Sequence, residues 1–355
     1  MKRKVLTGVV VLAALLGLSL FSTVGVVAKE VVTVYGWSGD WDIWFEDWGR
    51  QFEKETGYKL QYVSGGGLEM FSRIVNEQQA PTADVLLSSA SYLFQANNMG
   101  LTVDIPWDQI PNAAYVADQF KFPSVSVFGY DIFQLAYNYN AVDAANIPKN
   151  WKDLADAEWN GKVMMRSPQA DLTAWIWFAL NEEYGEEKAW EYLLGMFRNS
   201  KVWAGTVGEV VQGLSMGEVV VSPASIGHVM LSVQQAGGTI AASVPEINPV
   251  LMLNGLSLIK NAPNTEGAIA FINFFLDTYV QDFIMNVAGT SVAVNSSVEL
   301  TNQDLVAIGL GGVSLDEVLE RAYTPDWLYW TFVEENGNTR LGNLSLEIET
   351  RVRGL

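Results

Sequence analysis

The sequence predicts an α/β protein built in two halves. Three observations carry this. Strands and helices alternate over residues 31–87, the same alternation resumes at residue 163, and extended stretches at 122–138 and 249–259 lack helical spacing. Such alternation marks parallel sheets covered by helices. With 355 residues, 49% hydrophobic and 17% charged, the chain has apolar material for two cores, and it falls outside the disordered class.

Taken in order, Lys2, Arg3 and Lys4 precede an apolar run over 5–27, and Val26 and Ala28 supply small residues before Lys29. This reads as a secretory signal, 1–28, cleaved after about Ala28. The alternative is a retained anchor, since the run is long enough to span a membrane. The β-branched run 31–35 is a strand that Gly36 ends. Trp41, Trp44, Phe45, Trp48 and Phe52 recur on one helical face, and Gly57 stops that helix. Residues 59–63 form a second strand, a helix runs through Leu68, Phe71 and Ile74 to Pro81, and 85–87 is a third strand. In the second half, 163–165, 201–204 and 219–221 are strands. Helices begin near Pro168, Val207 and Pro223, and again over 267–279 and 315–322. No Pro/Ser-rich linker separates the halves, so strands are expected to join them.

Composition narrows the chemistry. There is no cysteine, which excludes a disulfide scaffold and a lipid-anchored form, and His228 is the one histidine. Zinc sites and Ser/His/Asp or Cys/His catalysis have almost no raw material. The net charge is −19, and without the three bases of 1–28 it is −22. Such a surface repels phosphate backbones, so no nucleic-acid partner is expected.

Ligands of open α/β sheets bind at the carboxyl ends of strands, where helix N-termini expose free N–H groups. Six strand-to-helix turns qualify: 35–40, 64–67, 88–91, 166–171, 204–206 and 222–225. All are rich in glycine or small hydroxyl residues, and each also reads plainly as capping. Ser64, Ser88, Ser167, Thr206 and Ser222 suit N-cap positions, Thr206 with Glu209 forms a capping box, and Pro223 suits the first helical position. Gly65, Gly66 and Gly67 let a backbone approach an anion closely, but they match neither a Walker A nor a dinucleotide pattern. Trp37, and more weakly Tyr35, could wall a pocket. Trp44 and Trp48 read as core. Asp171 serves either its own helix N-terminus or a ligand amine. His228 reads as structural.

Beyond these residues, the ordered segments VVTVYGW, FEKETGYKLQYVSGGG, ADVLLSSA, LAYNYNAV, NWKDLADAEWNGKVMMRSPQADLTAWIW and LNGLSLIKNAPNTEGAIAFINFFL resemble type II periplasmic solute-binding proteins of ABC transporters. The branch resembled includes ferric-iron, thiamine, hexose-phosphate and aminoethylphosphonate binders. The resemblance implies a two-lobed type II fold, each lobe a mixed, mostly parallel sheet flanked by helices, joined by two hinge strands near 134–138 and 251–256. Residues 29–135 and 255–300 would form one lobe, and 136–254 with 301–355 the other. It implies a periplasmic or extracellular monomer without a cofactor, handing its solute to a membrane permease. The cleft would be lined by Tyr35, Trp37, Ser38, Ser64, Gly65, Gly66, Gly67, Ser88, Ser89, Ser167, Asp171, Thr206 and Ser225. Where ferric binders present adjacent tyrosines, this chain has Ser222 to Gly227, which puts a ferric role in doubt.

The expected function is therefore capture of a small polar solute, with no catalytic residues. An anion-bearing or zwitterionic solute suits the hydroxyl and N–H donors of the turns. An organic cation such as a polyamine or thiamine suits Trp37, Tyr35, Asp171 and the acidic field. Sugar and iron rank below both. A sensor on the same fold and a secreted carboxylate hydrolase are further alternatives. No carboxylate pair stands out in the turns to support the hydrolase.

Overall fold

The computed structural model describes residues 31–236 and 238–355. The signal segment 1–28 lies outside the described residues. The first half follows the expected rhythm: β1 (Val31–Trp37), α1 (Asp40–Thr56), β2 (Lys59–Gly65), α2 (Gly67–Asn76), β3 (Val85–Ser89) and α3 (Ala90–Asn98), then a short β4 (Thr102–Val103). β1 pairs in parallel with both β2 and β3. The strands run further than the glycines suggest. β1 continues through Gly36 to Trp37 and β2 to Gly65, because their ladder stays in register from Val31–Lys59 to Trp37–Gly65.

β5 (Ser126–Asn138) is buried along its whole length. After it come β6 (Val163–Arg166), α4 (Asp171–Tyr184), α5 (Glu186–Asn199), β7 (Ser200–Ala204), α6 (Val207–Ser215), β8 (Val221–Ser225), α7 (Ile226–Ala236) and β9 (Ile240–Ser243). The third strand of this half is a correction: it occupies 221–225, not 219–221. Pro223 therefore lies inside a strand opposite Leu135, and Ser222 is not an N-cap. The chain then forms β10 (Val250–Ile259), α8 (Thr265–Phe275), α9 (Thr278–Asp282), β11 (Val292–Ala293), α10 (Leu315–Arg321), α11 (Trp327–Trp330) and α12 (Arg340–Arg353). The expected 267–279 helix is thus two helices, broken where Asp277 caps α9.

One mixed sheet runs β2-β1-β3-β10-β5-β8-β6-β7. Its division into two lobes lies on β5 and β10. Ser126 to Phe133 of β5 pair with β10, whereas Phe133 to Tyr137 pair with β8. β10 likewise pairs with β3 only from Asn254 onward. The β10–β5 register shifts between Asn254 and Gly255, and a Cβ on Gly255 would lie 2.9 Å from Ser126 O, so the bulge requires glycine. The C-terminal helices touch both lobes. Asn98 of α3 donates to Leu328 O (3.2 Å) and Thr331 Oγ1 (2.9 Å), while Trp330 packs on Phe178 of α4 at 4.5 Å.

Apolar burial is continuous through β5. In the first lobe, Trp48 meets Phe275 at 5.3 Å between ring centroids, and Phe128 meets Phe275 at 4.9 Å. Burying such rings contributes roughly 1.5–3 kcal/mol each, which lets a fold without disulfides hold. Among the described residues, no single helix is long and apolar enough to cross a membrane.

Candidate functional site

Parallel strands place β1, β2 and β3 with their carboxyl ends on one edge, and β6, β7 and β8 do the same in the second lobe. The two edges meet at a groove of about 390 Å³. Ser38, Asp40, Trp41 and Trp44 form one wall, Gly227 and Leu231 of α7 the other, and Thr290 adds a hydroxyl between them. Trp41 and Trp44 are half-buried and stack with Trp37 and Trp48, so the aromatic face of α1 is core on one side and groove wall on the other.

Most of the expected residues fall on these edges. In the first lobe Ser38 N donates to Gly65 O at 3.2 Å, which ties the first turn to the glycine triplet. Ser64 and Gly65 end β2, and Gly66 caps α2. A Cβ on Gly67 would lie 3.0 Å from Tyr92 and 3.6 Å from Ser88 Oγ, so the second and third turns adjoin. Ser88 is fully buried and its hydroxyl has no partner, whereas Ser89 and Ser91 bond each other at 3.1 Å. Trp37 is half-buried against Trp41 and Phe128. Tyr35 is a correction. Its ring is 1% exposed and its hydroxyl bonds Glu77 (2.9 Å) and Thr82 (2.6 Å), both at the amino edge of the sheet, away from the groove.

In the second lobe Ser167 N donates to Ala204 O, Thr206 caps α6 through Glu209 N (3.2 Å), and Ser225 ends β8. Neither Ser64, Ser88 nor Ser167 is a cap; the N-cap positions are Gly66, Ser89 and Ala170. Asp171 is the first residue of α4, and its side chain lies outside the described residues.

Sequence reading foresaw Glu209 with Thr206 at α6 and missed what fills the other helix N-termini. The chain's own carboxylates occupy four of them. Asp42 accepts from Gly39 N (2.9 Å) at α1, Glu69 from Gly66 N (3.3 Å) at α2, and Glu209 from Gly205 N (2.6 Å) at α6. At α7, Asp131 reaches over from β5 to accept from Ile226 N at 2.8 Å. Each brings carboxyl oxygens to free N–H groups at a helix N-terminus, so the glycine triplet is not an empty anion cradle. Gly66 itself has φ −71° and open space at its Cβ, so valine fits there without strain. The expected result for Gly66→Val is a melting temperature within about 2 °C of wild type. Loss of solute affinity in that folded variant, measured calorimetrically, places the triplet at the ligand; unchanged affinity removes it from the site.

Two further residues were also missed. Arg166, the one basic residue in the six turns, donates from Nη2 to Gly205 O at 3.0 Å, and burial holds its guanidinium below its usual range. His228, in the first turn of α7, is buried with Nδ1 2.8 Å from Ser225 Oγ. The signal for Arg166 was that it carries the one positive charge in the six turns. For His228 the spacing of three to Ser225 was a local signal, whereas Asp131 gave none, because its partners Ile226 and Gly227 lie 95 and 96 positions away.

Two α/β lobes on a shared pair of crossing strands, with helix N-termini converging on an interlobe groove, define a two-lobed binding protein of the type II periplasmic class. The chain belongs to the bacterial extracellular solute-binding proteins, whose family model matches residues 47–307. It is 25% identical over 271 residues to a Salmonella typhi periplasmic protein named for binding 2-aminoethylphosphonate, covering 72% of this chain and 76% of that one. It is 26% identical over 248 residues to iron uptake protein A1 of Synechocystis, covering 66% and 68%. A crystal structure of an ABC transporter protein from Clostridium perfringens superposes with a TM-score of 0.72 at 19% identity, over 90% of this chain and 99% of that one. The chain is thus a solute-binding component of the ABC importer kind.

Proposed function

We propose that this protein captures a small zwitterionic or anion-bearing solute in the interlobe groove and presents it to a membrane permease. The carrying observation is the groove's split chemistry. One wall pairs Asp40 with the faces of Trp41 and Trp44, which suits an ammonium group. Thr290, in the groove, and Ser88 and Arg166, at the strand ends of the two lobes, hold buried polar atoms without partners, which suits an anionic one. The Salmonella relative's name pairs the same two charges in one molecule. Residues 29–135 with 255–300 and 136–254 with 301–355 would act as the moving bodies, with β5 and β10 as hinge. Solute stabilises the closed state only through its greater affinity for it.

A purely cationic solute is the second reading, favoured by the four carboxylates already seated at the helix N-termini. Iron ranks below both, because residues 222–227, where ferric binders present adjacent tyrosines, hold none. A thermal-shift panel tests these readings. At a hundred times its Kd, 2-aminoethylphosphonate or a hexose phosphate is expected to add about 2.7 kcal/mol, a rise of about 5 °C or more. A rise with putrescine, thiamine or Fe(III) alone overturns the proposal.

A further inference from the structure

We propose that Arg166 and His228 form an oxyanion-binding pocket in the second lobe that takes the anionic group of the solute. The inference rests on the reading above and assigns it residues that the family match and the relatives' names leave unassigned.

The argument begins with unmet hydrogen bonds. Arg166 ends β6, where its guanidinium lies among the carboxyl ends of β6, β7 and β8. Nη2 is bonded to Gly205 O, but Nε and Nη1 are buried with no partner. Glu209 is the nearby acid, yet its Oε2 is held on Gly205 N at 2.6 Å, and Arg166 makes no ion pair among the described residues. Arg166 is half-buried, and two buried donors left idle on its guanidinium are costly unless something supplies acceptors.

His228 adds a third donor. Ser225 N–H points at Nδ1 from 3.2 Å, and a backbone N–H can only donate, so Nδ1 is the accepting nitrogen. The ring proton therefore sits on Nε2, which is buried and unpartnered. The imidazole is 6% exposed and feels the charge of Arg166, which together with burial keeps it neutral. Its orientation is fixed through Ser225, which also bonds Asp131.

Three N–H donors with no acceptor define the ligand chemistry. A tetrahedral oxyanion such as a phosphonate, phosphate monoester or sulfonate carries three oxygens that can accept from all of them. One positive charge, one neutral N–H and, among the described residues, no carboxylate bonded to either group complete the pocket. All three donors belong to the second lobe, so the anion is held there before the first lobe closes.

Because His228 is the only histidine, wild-type protein labelled with ¹⁵N-histidine tests the pocket without a variant. The probes are inorganic phosphate and 2-aminoethylphosphonate. The expected result is a saturable movement of the single Nε2–H resonance. Arg166→Met removes the idle donors. Its melting temperature without probe is expected to equal or exceed wild type, while affinity measured calorimetrically falls at least about 10-fold. His228→Phe is expected to weaken binding less, because it removes an uncharged donor. Probe binding with a stationary His228 resonance and full Arg166→Met affinity overturns the pocket and leaves the proposed function intact. Binding of putrescine with none of either probe overturns both. Phosphate bound only at tens of millimolar, with 2-aminoethylphosphonate no tighter, also overturns the pocket.

Discussion

Asp131→Ala is expected to destabilise the folded protein by about 3–5 kcal/mol, read from urea unfolding followed by far-UV circular dichroism. Asp131 sits on β5 opposite Met252 of β10, within the crossing segment. Its Oδ1 accepts from Ile132 N and Ile226 N, both at 2.8 Å, and Oδ2 lies 3.5 Å from Gly227 N. Ser225 completes the set through its hydroxyl. The alanine variant leaves these buried donors without acceptors and uncaps α7, so the helix carrying His228 loses its tie to the hinge strand. Asp131→Asn keeps an acceptor and the shape, and is expected to recover most of the loss. An alanine variant within 1 kcal/mol of wild type would refute the clamp.

The second large effect is in the pH dependence. Burial pushes the Asp131 carboxyl up to about 7 from 3.8, and burial with the Arg166 charge pushes His228 down to about 3 from 6.5. The folded state thus binds more protons at Asp131 between pH 3.8 and 7, and that contribution to stability falls as pH rises. It binds fewer at His228 between pH 3 and 6.5, and that contribution grows as pH rises. The two slopes oppose each other across pH 4–6.5. Within that window folding moves a proton from His228 to Asp131 with no net exchange.

The geometry accommodates the transfer. A proton on Asp131 Oδ2 can be donated to Ser225 Oγ, whose own hydrogen points to His228 Nδ1, and the long 3.5 Å approach of Gly227 N suits a protonated oxygen. The pair therefore adds little pH dependence in wild type. His228→Phe removes the rising slope: relative to wild type, stability is expected to fall by about 1 kcal/mol per pH unit from pH 3 to 6.5. Asp131→Asn removes the falling slope, so its stability relative to wild type is expected to rise as pH climbs from 3.8 to 7. Urea midpoints across this range measure both differences. A flat difference for Asp131→Asn would show that Asp131 remains ionised in the fold.

Elements whose signal is local were legible in the sequence. Trp41, Phe45, Trp48 and Phe52 name the inner face of α1 because helical spacing alone places them there. Thr206 announces the start of α6 because its cap is made three residues away. Elements whose limits depend on a neighbour were not. Pro223 looks like the start of a helix, yet it lies in β8 because Leu135 and Ala136 of β5 pair alongside it. Tyr35 looks like a turn aromatic, yet its ladder with Val63 and Leu86 keeps it in β1, and Glu77 and Thr82 claim its hydroxyl.

The same division holds for the site. Local sequence was enough to set the α/β class, the six turns and the acidity of the chain, since these depend on spacing and composition over a few residues. At α1, α2 and α6 the carboxylate that fills the turn lies three or four residues away and is local; at α7 only tertiary structure decided it. The carboxylate at the N-terminus of α7 comes from a residue 95 positions earlier. Arg166 and His228 come to the same edge of the second lobe only because β6 and β8 pair in parallel. A helix N-terminus is open or occupied according to which side chains the fold brings to it, and that information is not contained in the turn itself.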